Sequence, residues 1–140
     1  MSVSLDASVL VALLTADGLT ARADAFLRAN TPMLIVSDFA AAEFASAVAR
    51  RVRTRDITVE EAQKGFLAFD SWTAQATLRE EMAAADIRAA EAFLRRLDLG
   101  PRTADALNIA IAQRVRAALA TFDQTMASSA GVLGIPVVAA

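Results

Sequence analysis

The sequence contains no cysteine, no histidine and no tyrosine. A disulfide framework is therefore excluded, and so is a metal site built from thiolate or imidazole ligands. A Ser-His-Asp triad, a histidine base and a cysteine nucleophile are excluded as well. Lys64 is the only lysine, so a lysine-based site would have to use it. An enzyme of this composition would depend on its 16 carboxylates, whose oxygens suit Mg²⁺, Mn²⁺ or Ca²⁺ rather than zinc.

Charge and hydropathy exclude further classes of protein. The formal net charge is −2, so the chain lacks the bulk positive field of a typical nucleic-acid-binding protein. Its apolar stretches are too short to span a bilayer, and its first residues lack the basic region of a signal peptide. We therefore expect a cytoplasmic protein. With 140 residues, 56% of them hydrophobic, the chain is predicted to form a single domain, residues 1–140, with a complete core.

Short apolar runs alternate with segments of helical periodicity. Strands are predicted at residues 2–5, 33–36, 76–78, 117–121 and 135–138. Helices are predicted at residues 7–16, 20–29 (ending near Asn30 and Pro32), 38–53 (capped by Ser37 or Asp38), 59–74 (with a Thr58–Glu61 capping box), 84–97, 104–115 (capped by Thr103) and 124–130. This alternation predicts an α/β sandwich with a mostly parallel central sheet flanked by helices, and ligands bind such sheets beyond the carboxyl ends of the strands.

Two acidic residues lie just beyond the ends of predicted strands. Asp6 follows the first strand, and Asp123 follows the strand that ends at Thr121. Both acids are placed at the edge where a ligand would bind. Both are also explained as helix N-caps, a role in which aspartate is common.

Glu43 is the only charged residue between Phe39 and Ala49, on a helix that is apolar nearly all round. A helix of that kind is expected to be buried, and a buried carboxylate is costly unless it is paired or bound to a metal. The alternative is a narrow solvent-facing stripe through Glu43 and Ser46.

Asp105 lies in the first turn of its predicted helix, where the helix dipole favours an acid. Asn108 shares its face one turn later. Strand carboxyl ends and helix amino ends meet at one edge of a parallel sheet, so Asp6, Asp105 and Asp123 are expected there, with Glu43 on an inward-facing helix. Four acids in one pocket repel one another, and a divalent cation would relieve that repulsion.

Five blocks in this order resemble the PIN domain, and most closely the VapC toxins of bacterial type II toxin–antitoxin pairs. The blocks are Leu5-Asp6-Ala7-Ser8, Glu43 in its alanine-rich helix, Asp105-Ala106-Leu107-Asn108-Ile109-Ala110, Leu119-Ala120-Thr121-Phe122-Asp123 and Gly134-Ile135-Pro136-Val137-Val138. The resemblance covers the whole chain and implies a PIN-like three-layer sandwich. It also implies a Mg²⁺- or Mn²⁺-dependent endoribonuclease that acts on RNA, a homodimer, and a cognate VapB-like antitoxin that occludes the site.

The resemblance assigns catalytic roles to the acids Asp6, Glu43, Asp105 and Asp123. Asp6, Asp105 and Asp123 are expected to hold the metal, while Glu43 is either a ligand or a residue that orients the attacking water. Supporting or substrate-binding roles are expected for Ser8, Arg102, Asn108 and Thr121, with Arg102 contacting an RNA phosphate. Asn108 departs from the family, because many relatives have histidine there.

Three alternatives compete with this interpretation. A receiver domain would need a phosphate-reading lysine near the last strand, whereas Lys64 lies mid-chain on a predicted helix. An aspartyl phosphatase would show Asp-x-Asp after the first strand, but Ser8 stands at the second position. The serious alternative is a catalytically silent PIN-like module that binds RNA or a protein.

Overall fold

The computed structural model describes residues 2–29 and 33–139. Within these residues the strands are β1 (Ser2–Leu5), β2 (Met33–Ser37), β3 (Thr77–Glu80), β4 (Ala118–Thr121) and β5 (Val137–Ala139). They form one sheet in the order β3-β2-β1-β4-β5, and every neighbouring pair is parallel. All carboxyl ends of the strands therefore lie at the same edge.

Helices connect these strands. They are α1 (Ala7–Leu14), α2 (Thr20–Ala29), α3 (Asp38–Arg53), α4 (Val59–Ala76), α5 (Ala84–Leu94), α6 (Thr103–Arg114) and α7 (Gln124–Val132). Asn30 and Pro32, near which α2 was predicted to end, lie outside the described residues. None of the described helices is long and apolar enough to cross a membrane.

Alternate side chains of the sheet pack against opposite helix layers. Val3 and Ala120 face a core that includes buried side chains of α1 to α4. Leu119, which precedes Ala120, faces the other way and packs with Ile109 of α6 and Met126 of α7. Alternation of this kind follows from the two-residue period of a strand. The predicted α/β sandwich, with helices on both faces of a parallel sheet, is confirmed.

Side-chain caps fix the starts of two helices where the sequence predicted them. The Ser37 hydroxyl accepts a hydrogen bond from the Ala40 N–H at 2.9 Å and caps α3. Thr58 and Glu61 each accept a hydrogen bond from the other's backbone N–H, both at 3.1 Å, so the predicted capping box of α4 is present. Such caps satisfy N–H groups that have no partner within the helix.

Several predicted boundaries were wrong by two or three residues. The helix predicted at 84–97 ends at Leu94. Leu97 is 94% exposed, so burial of its side chain does not stabilise a longer helix. The last strand begins at Val137 rather than Ile135. Gly134 has a positive φ of 79° and the Ile135 N–H donates to the Ala130 carbonyl at 2.9 Å, so this segment closes α7. Hydrophobic periodicity alone does not predict the hydrogen bonds that end a helix or begin a strand.

Candidate active site

Asp6 and Thr121 lie side by side at the carboxyl edge of the sheet. Leu5 pairs with Ala120 in the β1–β4 register, and the Asp6 N–H donates to the Ala120 carbonyl at 3.2 Å. The next side chains along the two strands are therefore neighbours, although they are far apart in the sequence. Both residues are buried.

Hydroxyl groups hold both oxygens of the Asp6 carboxylate. Ser8 Oγ donates to Oδ1 at 2.6 Å, and Thr121 Oγ1 donates to Oδ2 at 2.5 Å. The Val9 N–H also donates to Oδ1 at 3.2 Å, which makes Asp6 the N-cap of α1. The cap interpretation of Asp6 is confirmed, and it coexists with a second set of contacts that a cap does not require.

Asp6 is only 3% exposed, and this burial raises the pKa of its carboxyl group. The hydrogen bonds from Ser8, Thr121 and Val9 oppose that effect without cancelling it. Burial makes the charged form of a carboxylate less favourable in free energy, so ionised Asp6 destabilises this site.

Glu43 of α3 meets Asn108 of α6 across the site. Asn108 Nδ2 donates to Glu43 Oε1 at 2.8 Å and to the Ala104 carbonyl at 3.0 Å. The hydrogen bond to the Ala104 carbonyl holds the side-chain amide of Asn108 in place. The amide can therefore hold the Glu43 carboxylate in one orientation. Asn108 is 4% exposed, so this hydrogen bond lies in a largely desolvated environment.

Burial raises the pKa of Glu43, the hydrogen bond from Asn108 opposes the rise, and the negative charges of Asp6 and Asp105 add to it. The charges of Asp6 and Asp105 thus act directly on Glu43. Asp6 at the end of β1 and Asp105 on α6 are thus brought within electrostatic range of Glu43 on α3.

Of the two alternatives for Glu43, the structure supports the solvent-facing one through Glu43 and Ser46, with an exposed face wider than a narrow stripe. The helix is not buried all round, because Ala42, Ala45 and Ser46 are exposed while Ala40 is buried. Glu43 itself is half-buried, at the border between these faces. Alanine-rich helices carry little amphipathic signal, so the buried and exposed faces could not be separated from the sequence.

Asp105 is 6% exposed in the first turn of α6. Its Oδ2 accepts a hydrogen bond from the Arg102 N–H at 3.0 Å. Arg102 is therefore the N-cap position, and Thr103, predicted as the cap, is the first residue of the helix. The acid three residues on satisfies the Arg102 N–H, as a capping box would.

Asp123 is attached to the group differently. Its Oδ1 accepts from the Met126 N–H at 2.9 Å, so it caps α7 as predicted. Its own N–H donates to Thr121 Oγ1 at 2.9 Å, and that hydroxyl donates to Asp6. The Thr121 hydroxyl thus joins the Asp123 backbone to the Asp6 carboxylate. Asp123 itself is half-buried.

The predicted supporting residues divide into two groups. Ser8, Thr121 and Asn108 each donate a hydrogen bond to a predicted acid. Ser8 Oγ also accepts from the Phe122 N–H at 3.0 Å, which links the first turn of α1 to the residue that follows β4. Arg102 holds Asp105 through its backbone, and its side chain is on an exposed residue.

One basic residue beside the site was missed in the sequence. Arg22 of α2 lies with its guanidinium carbon 5.1 Å from the ring centroid of Phe122. Both residues line a cavity of about 220 Å³ that also includes Thr121. An arginine on an exposed helix face carries no local signal for such a contact, because its partner is a hundred residues away in the chain.

No three acidic side chains within residues 2–29 and 33–139 are arranged so that they could hold one metal ion as they stand. The charges of Asp6 and Asp105 nevertheless act on Glu43, and hydrogen-bond donors hold Asp6 and Glu43. The protein is thus of the α/β class, with buried carboxylates at the carboxyl edge of an all-parallel sheet, which is the edge where such folds bind ligands.

The sequence profile of the PIN domain matches residues 3–132, so the chain belongs to the PIN domain family. Comparison with curated protein sequences finds no match.

Solved structures agree with this fold. The Mycobacterium tuberculosis toxin VapC20, described as cleaving the sarcin-ricin loop, superposes with a TM-score of 0.75 at 17% identity and covers 97% of this chain and 98% of its own. A chain of the Rickettsia felis VapBC2 complex, bound to a DNA fragment from its promoter, gives 0.72 at 13% identity, with 99% and 98% covered. FitAcB from Neisseria gonorrhoeae gives 0.63 at 18%, with 98% and 95% covered. At these identities the likeness is one of fold.

Proposed function

We propose that this PIN domain is a metal-dependent endoribonuclease, the toxin of a VapBC-like toxin–antitoxin pair, and that it hydrolyses RNA phosphodiester bonds. The observation that carries the proposal is the grouping of Asp6, Glu43 and Asp105 at one edge of the sheet: burial raises the pKa of Glu43, and the charges of Asp6 and Asp105 add to that rise. Acids on three separate elements converge at the sheet edge where PIN-like folds would bind a ligand. The fold shared with VapC20 supports the same assignment.

The donor set suits Mg²⁺ or Mn²⁺. All the candidate ligands are carboxylate oxygens, which these hard cations prefer. Mg²⁺ commonly uses only one or two carboxylates and keeps several waters. Asp6 and Asp105 would therefore suffice to hold it, with Asp123 as a further candidate ligand. Burial is the main cause of the raised pKa of Glu43, and the repulsion from Asp6 and Asp105 that adds to it is what a bound cation would relieve.

When bound, the cation would supply positive charge against the scissile phosphate and make a water molecule easier to deprotonate. Glu43 is proposed to orient that water and accept its proton, because its raised pKa brings a carboxylate closer to the range of an effective base. Asn108 holds Glu43 in place, while Ser8 and Thr121 hold Asp6. No protein nucleophile is required, which agrees with the absence of cysteine and histidine.

RNA cleavage tests the proposal. Purified protein with Mg²⁺ or Mn²⁺ should cleave a target within total cellular RNA, and EDTA should stop it. Asp6→Asn and Asp105→Asn should each lower the rate at least a hundredfold, or by about 3 kcal/mol of transition-state stabilisation. Asp70→Asn, on an exposed residue of α4, is the control for the charge change. RNA that is bound but uncut by the wild type would identify the catalytically silent module instead.

We further propose that a VapB-like antitoxin occludes the acid site. VapBC2 of Rickettsia felis and a toxin–antitoxin complex from Klebsiella pneumoniae share the fold. A basic antitoxin side chain near Asp6 and Asp105 would compensate their charges. The cognate antitoxin should inhibit cleavage, and Asp105→Asn should weaken its binding. A complex in which these acids stay open to solvent and remote from the antitoxin would contradict this.

A homodimer is the remaining proposal drawn from the resemblance. Large apolar side chains are exposed on the helices, including Leu67 on α4 at 70% and Ile87 on α5 at 54%. Burial of such side chains between two copies would stabilise a dimer. Light scattering at micromolar concentration should give the mass of two chains, and a monomer would contradict the proposal.

A further inference from the structure

The cavity that contains Arg22 opens beside the acid site at the carboxyl ends of β4 and β5. Thr121, whose hydroxyl donates to Asp6, forms part of its wall, and Val138 of β5 forms another part. Arg22 and Gln124 supply the polar side chains that line it. The cavity therefore adjoins the acids through a shared residue, and Arg22 places a positive charge beside the acidic site.

The Arg22–Phe122 contact gives this cation a defined position. The guanidinium carbon lies 5.1 Å from the centroid of the ring, a cation–π distance. A guanidinium carries five N–H donors in one plane, a geometry suited to hydrogen bonds with phosphate oxygens. Phe122 is itself held in place, because its N–H donates to Ser8 Oγ at 3.0 Å.

The charge distribution explains why a cation is needed at this position. The chain has a net charge of −2, and its candidate site is acidic. RNA is a polyanion, so its backbone must be attracted locally for a scissile phosphate to reach the acids. Arg22 shares its cavity with Thr121, which contacts Asp6. At that position its positive side chain would hold a phosphate next to the scissile phosphate without occupying the place of the scissile phosphate itself.

We propose that the cavity lined by Arg22, Phe122 and Gln124 is a subsite for an RNA phosphate adjacent to the scissile one, with the Arg22 guanidinium as its contact. The inference rests on the proposed function for its choice of ligand. Arg22 then takes the role that the sequence assigned to Arg102.

Fluorescence anisotropy with a labelled, mixed-sequence single-stranded RNA tests the subsite. EDTA is included so that no cleavage occurs, and the dissociation constant is measured over a series of salt concentrations. Arg22→Ala should weaken binding about tenfold, as loss of a charge-assisted contact does. The slope of log affinity against log salt should become shallower by about 0.7, the value for one phosphate contact on a single strand.

Arg28→Ala is the matched control, because it removes the same charge from another exposed position of α2. It lines a different cavity and should leave both the affinity and the slope near the wild-type values. Arg22→Lys should retain the wild-type slope while recovering only part of the affinity, since it keeps the charge but not the planar donors.

Equal affinities and slopes for wild type, Arg22→Ala and Arg28→Ala would overturn the subsite, and so would a wild type that does not bind RNA. Failure of the nuclease proposal is distinguishable, because it is measured as cleavage in Mn²⁺. Wild-type protein that binds RNA through Arg22 but never cuts it would refute the enzyme and leave the subsite standing. Protein that cuts RNA with no dependence on Arg22 would do the reverse.

Discussion

Asp6 performs two roles that the sequence presented as alternatives. Its Oδ1 accepts the Val9 N–H as a helix cap, while its Oδ2 takes the hydroxyl of Thr121 from a neighbouring strand. The two roles are compatible because a helix that follows a parallel strand begins at the ligand-binding edge. A capping residue there is placed at the site without extra structure, so capping does not argue against a part in the chemistry.

The raised pKa of Asp6 predicts how metal-free stability depends on pH. Its folded pKa lies above its unfolded value, so the folded state favours the protonated form. The contribution of Asp6 to the free energy of unfolding therefore falls as pH rises from about 4 through the folded pKa. Asp6→Asn removes that fall and keeps the cap.

In EDTA, the stability of Asp6→Asn relative to wild type should consequently increase between pH 4 and pH 7. Urea denaturation at several pH values measures the difference. A difference that is constant with pH would show that the pKa of Asp6 is not raised in the folded protein.

Asp123 allows capping and chemistry to be separated. Asparagine caps helices as well as aspartate does, so Asp123→Asn should leave the free energy of unfolding nearly unchanged, whereas Asp123→Ala should lower it by about 1 kcal/mol. If Asp123 also serves the proposed nuclease, Asp123→Asn should lose cleavage at full stability. Urea denaturation and an RNA cleavage assay on both variants provide the measurements. Wild-type cleavage by Asp123→Asn would restrict this residue to capping.

Sequence reasoning located the candidate acids but not their contacts. Strand ends and helix starts are legible in the chain, and these place Asp6 and Asp105 at one edge. The Asn108–Glu43 and Arg22–Phe122 contacts join distant helices and loops, and their existence depends on how α3, α6 and α2 rotate about their axes. Nothing in an alanine-rich helix specifies that rotation, so these contacts required the structure.

At the scale of elements, one ion-pair network connects β3, α5 and α6. Arg114 donates to Asp86 through Nε at 2.8 Å and Nη2 at 3.1 Å, and to Glu80 through Nη1 at 2.8 Å. Asp86 is 1% exposed and also accepts the Ala83 N–H at 2.8 Å. Burial opposes ionisation of Asp86, but hydrogen bonds from Arg114 and Ala83 and the charge of Arg114 outweigh it and lower its pKa.

Arg114→Ala should therefore destabilise the fold strongly, because it strands a buried carboxylate. We expect a loss of about 3 kcal/mol near neutral pH, the scale for removing one partner of a buried pair. In the wild type, the stability that Asp86 adds is present above its unfolded pKa and is lost as pH falls through the lowered folded pKa. The difference in free energy of unfolding between the wild type and Arg114→Ala should therefore become smaller at acidic pH.

Urea denaturation of Arg114→Ala and of a control checks this. Arg95→Ala breaks an exposed pair with Glu91 on α5, whose side chains are 80% and 62% exposed, and it should cost little. Equal effects of the two substitutions would show that the network does not stabilise the packing of α5 on α6.

Element types were predictable for most of the chain, but the end of α5 and the start of β5 were not. The continuous apolar run before Ser37 and the Thr58–Glu61 box each determine a local structure without help from the rest of the fold. The end of α5 and the start of β5 depend instead on tertiary burial, as the exposure of Leu97 and the hydrogen bond of Ile135 show.

At the scale of the whole molecule, the fold gathers charges of one sign at one edge of the sheet. The parallel order β3-β2-β1-β4-β5 brings Asp6, which follows β1, and Thr121, which ends β4, together at the centre of that edge. The helices of both layers then supply Glu43 and Asp105. An arrangement that concentrates repulsion in this way opposes folding and favours cation binding, so a stabilising cation is the central requirement of the proposed function.

Thermal unfolding with and without Mn²⁺ tests that requirement without any knowledge of the substrate. At a hundredfold excess over the dissociation constant, binding to the folded state adds about 2.7 kcal/mol. The Tm of the wild type should then rise by about 10 °C, given roughly 3–4 °C per kcal/mol for a domain of this size.

Asp6→Asn should melt no lower than wild type in EDTA and should gain much less from Mn²⁺. The control Asp70→Asn should shift as the wild type does. Equal Mn²⁺ shifts in wild type and Asp6→Asn, or no shift in either, would contradict a shared cation site that includes Asp6.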